Sequence, residues 1–174
     1  QIQLNTLDAG ELPAPAVADP SPPLDMAAVA AAAQMIIGAE RPVLYLGGGV
    51  VASGAAPLAV QLAEQAGLPT TMTLMGLGAM AIDHPLSIGM LGMHGARYTN
   101  FVLEESDLLI VVGARFDDRA IGRAAQFCPN AKIVHIDIDA SELHKIKTAH
   151  VALHANVQCA LEALLPRVQA MPRE

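Results

Sequence analysis

Four of the chain's ten lysines and arginines, Arg97, Arg115, Arg119 and Arg123, fall in one short region. Three of them share "VVGARFDDRAIGR" with Asp117 and Asp118, directly behind an apolar run. A guanidinium is a rigid fork of donors suited to phosphate or carboxylate. A neighbouring aspartate can orient that fork or accept hydrogen bonds from ligand hydroxyls. The same charges also read as a solvated ion-pair loop of little energetic weight.

Other stretches carry candidate chemistry. Gly47, Gly48 and Gly49, with Ala52, satisfy G-x-G-x-x-[GA], a pattern that lets backbone approach a phosphate or a flat ring; a plain turn uses the same glycines. A nicotinamide dinucleotide site places an acid about 20 residues further on, but "LPTTMTLMG" offers hydroxyls and methionines instead, which argues against such a site. "LGMHG", Leu91 to Gly95, sets His94 before a helix whose N-terminus favours an anion; a partly buried helix-start histidine is the alternative. In "HIDID", Asp137 closes a strand where its carboxylate can accept ribose hydroxyls, whereas Asp139 with Glu142 resembles a capping box. His135, His144, His150 and His154 are irregularly spaced and form no metal motif. Neither a nucleophile elbow nor a GxxxxGK[ST] loop is present, so the chain by itself is expected to be non-catalytic.

Alternating elements must position these residues. Helix patterns at Asp25–Ile37 (ended by Gly38 as a C′ residue), Ser53–Gln65 (ended by Gly67), "ARYTNFVLEES", "ASELHK" and Val157–Val168 alternate with strands in "PVLYLGGG", "LPTTMTLMG", "LSIGMLGMHG", "DLLIVVGA", "AKIVHIDID" and "HVALHA". Short apolar strands between helices predict an α/β fold: a doubly wound, Rossmann-like parallel sheet with helices on both faces. Ligands in such folds bind beyond the C-terminal strand ends, where every candidate above lies. Residues 1–23 are proline-rich and read as an extended linker, 24–165 as the domain, and 166–174 as a second linker.

Composition narrows the class. Hydrophobic residues make up 53% and charged residues 16%, and the surplus points to packing against other domains of a longer chain; the start at Gln1 reads as that of an excised piece. A net charge of −7 argues against a nucleic-acid partner. No apolar run reaches the ~18–20 residues of a membrane span. Cys128 and Cys159 read as reduced core residues of a cytoplasmic protein.

Taken together, "TLMGLGAM", "HPLSIGMLGMHG", "SDLLIVVGARFDDR" and "IVHIDIDASEL" resemble the middle domain of the acetohydroxyacid (acetolactate) synthases, over about Leu24 to Leu165. The resemblance implies an enzyme of branched-chain amino-acid synthesis that joins pyruvate to a second 2-ketoacid with loss of carbon dioxide. It implies thiamine diphosphate and Mg2+ in the outer domains and FAD in the middle one. Homo-oligomeric large subunits and a regulatory small subunit are implied as partners. Carried onto this sequence, the FAD contacts are Gly47, Gly48, Gly49, Thr73, Leu74, Met75, Leu91, Gly92, Met93, His94, Gly95, Gly113, Ala114, Arg115, Asp117, Arg119, Ala120, Asp137 and Ile138. Asn156 takes the place of a family aspartate, with Ala155-Asn156 standing where the family has Gly-Asp; Asn can still cap the final helix. Asp118 and Arg119 resemble positions near the family's substrate channel. On this view the arginines hold a two-phosphate cofactor and the aspartates fix the arginines. The equivalent domain of a pyruvate oxidase or related carboligase, or a nucleotide-binding regulatory module, is the alternative.

Overall fold

Val, Leu and Ile dominate two five-residue runs, Pro42–Leu46 (β1) and Leu108–Val112 (β4), and both are buried along their whole length. Strands apolar on both faces belong in the middle of a covered parallel sheet. The computed structural model describes residues 22–168 and shows these two strands paired in parallel, Pro42 opposite Leu108 through Leu46 opposite Val112. Thr70–Met72 (β2) and Ser87–Met90 (β3) extend the sheet on one side. Lys132–Asp137 (β5) and Val151–His154 (β6) extend it on the other. All pairings are parallel and the strand order is β3-β2-β1-β4-β5-β6, a doubly wound α/β fold with its switch point between β1 and β4.

Residue alternation divides the core. Leu44, Leu46, Ile110, Val112, Val134 and Ile136 pack with Met26–Gly38 (α1), Ala56–Ala66 (α3) and Val157–Leu164 (α6). Val43, Tyr45, Leu109, Val111 and Ile133 face Leu103 of Arg97–Glu105 (α4), with Phe116, Ile121 and Cys128. The second face is therefore covered largely by the irregular segment after β4, whose only helical turn is Asp118–Ile121 (α5).

Several expectations need correction. The first glycine turn is itself helical, Gly48–Ala52 (α2), and Ser53 to Ala55 separate it from α3. Gly67 takes the left-handed cap expected of it, φ 61°, but Gly38 is the last residue of α1 and Ala39 is its cap. "ASELHK" forms turns and no helix; Asp139 accepts from the amide and hydroxyl of Ser141 at 2.9 and 2.7 Å, an Asx turn that competes with helix initiation. Cys128 is buried, whereas Cys159 is exposed on α6 and is not a core residue. The packed unit runs to Val168, which is fully buried and whose carbonyl accepts from Gln65; linker residues 1–21 and 169–174 fall outside the described ones. Among the described residues no helix is long and apolar enough to cross a membrane.

Candidate functional site

At the switch point the chain leaves β1 and β4 in opposite directions, and glycine lets the two exits touch. The Gly47 amide donates to the Val112 carbonyl and the Gly49 amide to that of Gly113, both at 2.9 Å. A Cβ on Gly47 would lie 2.1 Å from the Gly113 oxygen, and one on Gly49 2.8 Å from the Gly113 Cα. Gly113 has φ 55°. Two of the three consecutive glycines thus serve backbone packing, and the crossing they permit forms the floor of a cleft.

The cleft has a volume of about 880 Å³, near the upper end of small-molecule sites, roughly 300–1,000 Å³. From β1 and β2 come Gly48, Gly49, Thr73, Leu74 and Met75; from β3, Met90, Leu91 and His94; from β4, Gly113, Ala114, Arg115, Asp117, Asp118, Arg119 and Ala120; from β5, Asp137, Asp139 and Glu142. Fourteen of the twenty residues singled out in the sequence line this one space, and Met90, Asp118, Asp139 and Glu142 are further members. Gly47, Gly92, Met93, Gly95, Ile138 and Asn156 do not line it. Gly92 and Met93 border a smaller cavity of about 480 Å³ beside α4 and α5.

The charges do not pair as expected. Asp117 accepts from the Ala120 amide at 3.1 Å and caps α5. Asp137 accepts from the Asp139 amide at 2.9 Å, Asp139 from Ser141, and Glu142 from Lys145 at 2.8 Å. Both bonds from Ser141 hold the Asp139 carboxyl below its ordinary range. Among the described residues no ion pair joins Arg97, Arg115, Arg119 or Arg123 to a carboxylate; Arg97 lies over the Phe101 ring instead, 5.7 Å from its centroid. The aspartates therefore do not fix the arginines. Asp117, Asp137 and Asp139 are occupied by backbone and hydroxyl donors, Asp118 is exposed, and the guanidiniums of Arg115 and Arg119 are exposed at the cleft without a partner among the described residues. The amides of Ala114, Arg115 and Phe116 likewise find no acceptor among the described residues.

The remaining candidates shape the walls. Thr73 accepts from the Gly76 amide at 3.0 Å and caps the turn Leu74–Gly76, leaving Leu74 and Met75 70% and 75% exposed. In the "LGMHG" loop, Asn100 brackets Gly92, accepting from its amide at 3.0 Å and donating to its carbonyl at 3.1 Å. Gly92 (φ 86°) packs on α5, where a Cβ would meet the Arg119 carbonyl at 2.5 Å. His94 is exposed and precedes α4 by three residues, so it is not a partly buried helix-start residue. Ile138 is exposed, its carbonyl accepting from the ring of His154 at 3.0 Å. Asn156 caps α6, accepting from the Gln158 amide at 2.9 Å.

Two residues beneath the cleft were not singled out in the sequence. Tyr45 donates to the Arg115 carbonyl at 3.2 Å, and His135 through Nε2 to the Ala114 carbonyl at 2.9 Å. Both are fully buried. Burial, followed by the Asp117 carboxylate, pushes the Tyr45 phenol well above its usual range. Burial pushes the His135 imidazole below its usual range, against the opposing pull of the Ala114 carbonyl and the Asp137 carboxylate. The signal was legible as two polar letters inside otherwise aliphatic strands. Among the described residues no group of three histidine, cysteine or acidic side chains is placed to hold a metal ion.

A doubly wound sheet with a glycine-floored cleft at its switch point, lined by exposed arginines and carboxylates, has the architecture of a ligand-binding α/β domain. The chain belongs to the family of thiamine pyrophosphate enzyme central domains, whose profile matches residues 29–164. It is 56% identical over 173 residues to the acetolactate synthase isozyme 1 large subunit of Escherichia coli (strain K12), covering 99% of this chain and 30% of that protein. The isozyme 2 large subunit of the same organism is 48% identical, covering 82% of this chain and 25% of that protein. The probable acetolactate synthase large subunit of Methanocaldococcus jannaschii is 44% identical, covering 80% and 24%. The chain thus spans less than a third of the length of these relatives.

Proposed function

We propose that this chain is the FAD-binding domain of an acetolactate synthase large subunit, with residues 24–165 as its cofactor-binding unit. The observation that carries the reading is the unbalanced donor set at the cleft. Arg115 and Arg119 and the amides of Ala114, Arg115 and Phe116 have no acceptor among the described residues, while four of the five rim carboxylates, those of Asp117, Asp137, Asp139 and Glu142, already hold protein donors. A bare set of donors in a cleft of this size fits a diphosphate that bridges two larger groups. Asp137 keeps one carboxylate oxygen for ribose hydroxyls, and Gly48, Leu74 and Met75 offer a surface for a flat ring. When bound, FAD supplies an isoalloxazine, which this domain would hold and orient.

The complete enzyme would condense pyruvate with a second 2-ketoacid, pyruvate or 2-ketobutyrate, with decarboxylation. Thiamine diphosphate, the electron sink such chemistry requires, and Mg2+ would sit in domains outside this chain. Assembly into homo-oligomers with a small subunit follows from the same reading. The chain alone should therefore make no acetolactate from pyruvate with all three cofactors supplied. A colorimetric acetolactate assay beside a full-length control tests this; turnover above background by the chain would reject it as a cofactor-holding scaffold. The cofactor assignment is tested by titrating FAD against the protein and following flavin fluorescence, where saturable binding is expected and its absence in the full-length protein would reject the assignment.

A further inference from the structure

A phenol or an imidazole inside an aliphatic strand is costly unless hydrogen-bonded, so what satisfies it is informative. Tyr45 in β1 and His135 in β5 flank β4 and project from the same face of the sheet. Both bonds go to one target: successive carbonyls of the chain as it leaves β4. The Tyr45 hydroxyl donates to Arg115 at 3.2 Å and the His135 Nε2–H to Ala114 at 2.9 Å. Because the acceptor is a carbonyl, the imidazole proton lies on Nε2, and Nδ1 is buried without a partner. The Phe116 ring sits edge-on to both, 6.2 Å from the Tyr45 ring and 5.3 Å from that of His135.

This segment has little else to hold it. Gly113 is tied to Ile136 and Gly49, and Asp117 begins the bonds of α5, but between them no backbone hydrogen bond fixes residues 114–116. Their lower side is held by two side-chain donors and one buried ring. Their upper side carries Arg115 and the unpartnered amides. We infer that Tyr45 and His135 are positioning residues, a two-point clamp that holds the backbone of Ala114 and Arg115 so that Arg115 and the adjoining amides meet the cofactor's anionic group together. The inference rests on the reading of the cleft as the FAD site; neither residue lines the cleft itself.

A double-mutant cycle in the full-length protein tests it, with FAD affinity as the readout. Tyr45→Phe keeps the ring and its contact with Phe116 and removes only the donor. It should weaken FAD binding about 3- to 10-fold in the wild-type background, yet change affinity by less than about twofold once Arg115→Ala is present, because the clamp acts through the segment that carries Arg115. His135→Gln should show the same non-additivity, and Tyr45→Phe decides alone if that variant does not fold. Equal losses in both backgrounds, or none in the wild type, would overturn the clamp while leaving the cofactor assignment standing. If Arg115→Ala itself binds FAD as wild type does, Arg115 is no part of the site and the clamp fails with it, whereas a wild-type protein that binds no FAD would reject the cofactor assignment.

Discussion

The two halves of the sheet, divided at the β1/β4 boundary, meet the cleft with different chemistry. The β1–β2 side offers glycines, a threonine already used as a cap, and the exposed apolar side chains Leu74 and Met75; none of these is charged. The β4–β5 side offers two arginines and five acidic residues. One side forms a surface and the other a set of oriented donors and acceptors. In a doubly wound fold both sides meet at one crevice, so a ligand with a flat apolar part and an anionic polar part can span them. The carboxylates outnumber the arginines, but several have an oxygen taken by protein donors, so formal charge alone misjudges what the cleft offers.

If the shaping side works through backbone approach, Gly47 is where it is most easily broken. Its backbone angles, φ −110° and ψ −174°, suit any residue, so only space forbids a side chain. Gly47→Ala would set a Cβ 2.1 Å from the Gly113 oxygen and 2.5 Å from the Ala114 Cα, and neither backbone atom can yield without moving the β4 exit. Overpacking of this kind costs about 3 kcal/mol or more, about 6–12 °C in melting temperature for a domain of this size. Gly48→Ala is the matched control, its Cβ meeting the Met75 Cβ at 3.0 Å and the Met75 carbonyl oxygen at 3.4 Å, and should lose far less. Equal melting temperatures for the two variants would show that the β4 exit is soft.

Charge recognition on the opposite side predicts the next effect. Arg115→Ala should weaken FAD binding by about 1.5–3 kcal/mol, the worth of a charge-assisted hydrogen bond, or roughly one to two decades. Met75→Ala removes only an exposed apolar surface and should cost less. Raising ionic strength should narrow the gap between wild type and Arg115→Ala and leave the effect of Met75→Ala unchanged. Flavin-fluorescence titrations at two salt concentrations decide this, and a wild-type affinity for Arg115→Ala would dissolve the contrast between the halves.

How far the sequence could foretell this follows from the range of each interaction. Aliphatic runs such as "LLIVV" and "PVLYL" are read locally, and the parallel sheet and the strand-end location of the cleft followed from them, whereas lining residues such as Thr73, Met75 and Ala120 came only with the family resemblance. The pairing of charges is not local. Asp117 and Arg119 are two residues apart, but whether the carboxylate meets the guanidinium or the Ala120 amide depends on the helical turn at α5, which four residues of mixed type do not announce. Asp139 and Glu142 have the spacing of a cap, yet Ser141 captured the carboxylate in a turn. The part played by Tyr45 and His135 is not legible locally, because their target carbonyls lie 70 and 21 positions away.

His135 gives a smaller, pH-dependent test on the charged side. Its pKa is lowered on folding from 6.5, by burial first, while Ala114, Asp137 and Glu142 pull it up and His144 pushes it down. The unfolded chain therefore binds this proton more readily than the folded one. The stabilisation is complete above about pH 6.5 and is lost as pH falls through the folded-state value, with a slope of at most about 1.4 kcal/mol per pH unit from one proton. Carboxylates contribute to acid unfolding too, so the measurement is the difference between wild type and His135→Gln. Denaturant melts below pH 6.5 should show a shallower decline in the variant; parallel declines would mean that His135 titrates alike in both states.

The smallest effect is expected at Asn156. Asn156 accepts from the Gln158 amide at 2.9 Å and caps α6, and it does not line the cleft. Asparagine and aspartate are comparable N-caps, and a carboxylate adds a favourable interaction with the helix N-terminus of about 0.3–1 kcal/mol. Opposing this, Ala155 bonds to the carbonyl of Asp137, so a new negative charge enters beside an existing one. The two terms oppose each other, and Asn156→Asp should shift stability by no more than about 0.5 kcal/mol, roughly 1–2 °C in melting temperature, with FAD affinity unchanged. A tenfold change in that affinity would show that position 156 reaches the cofactor, and would extend the recognition side of the cleft beyond β5 to the start of α6.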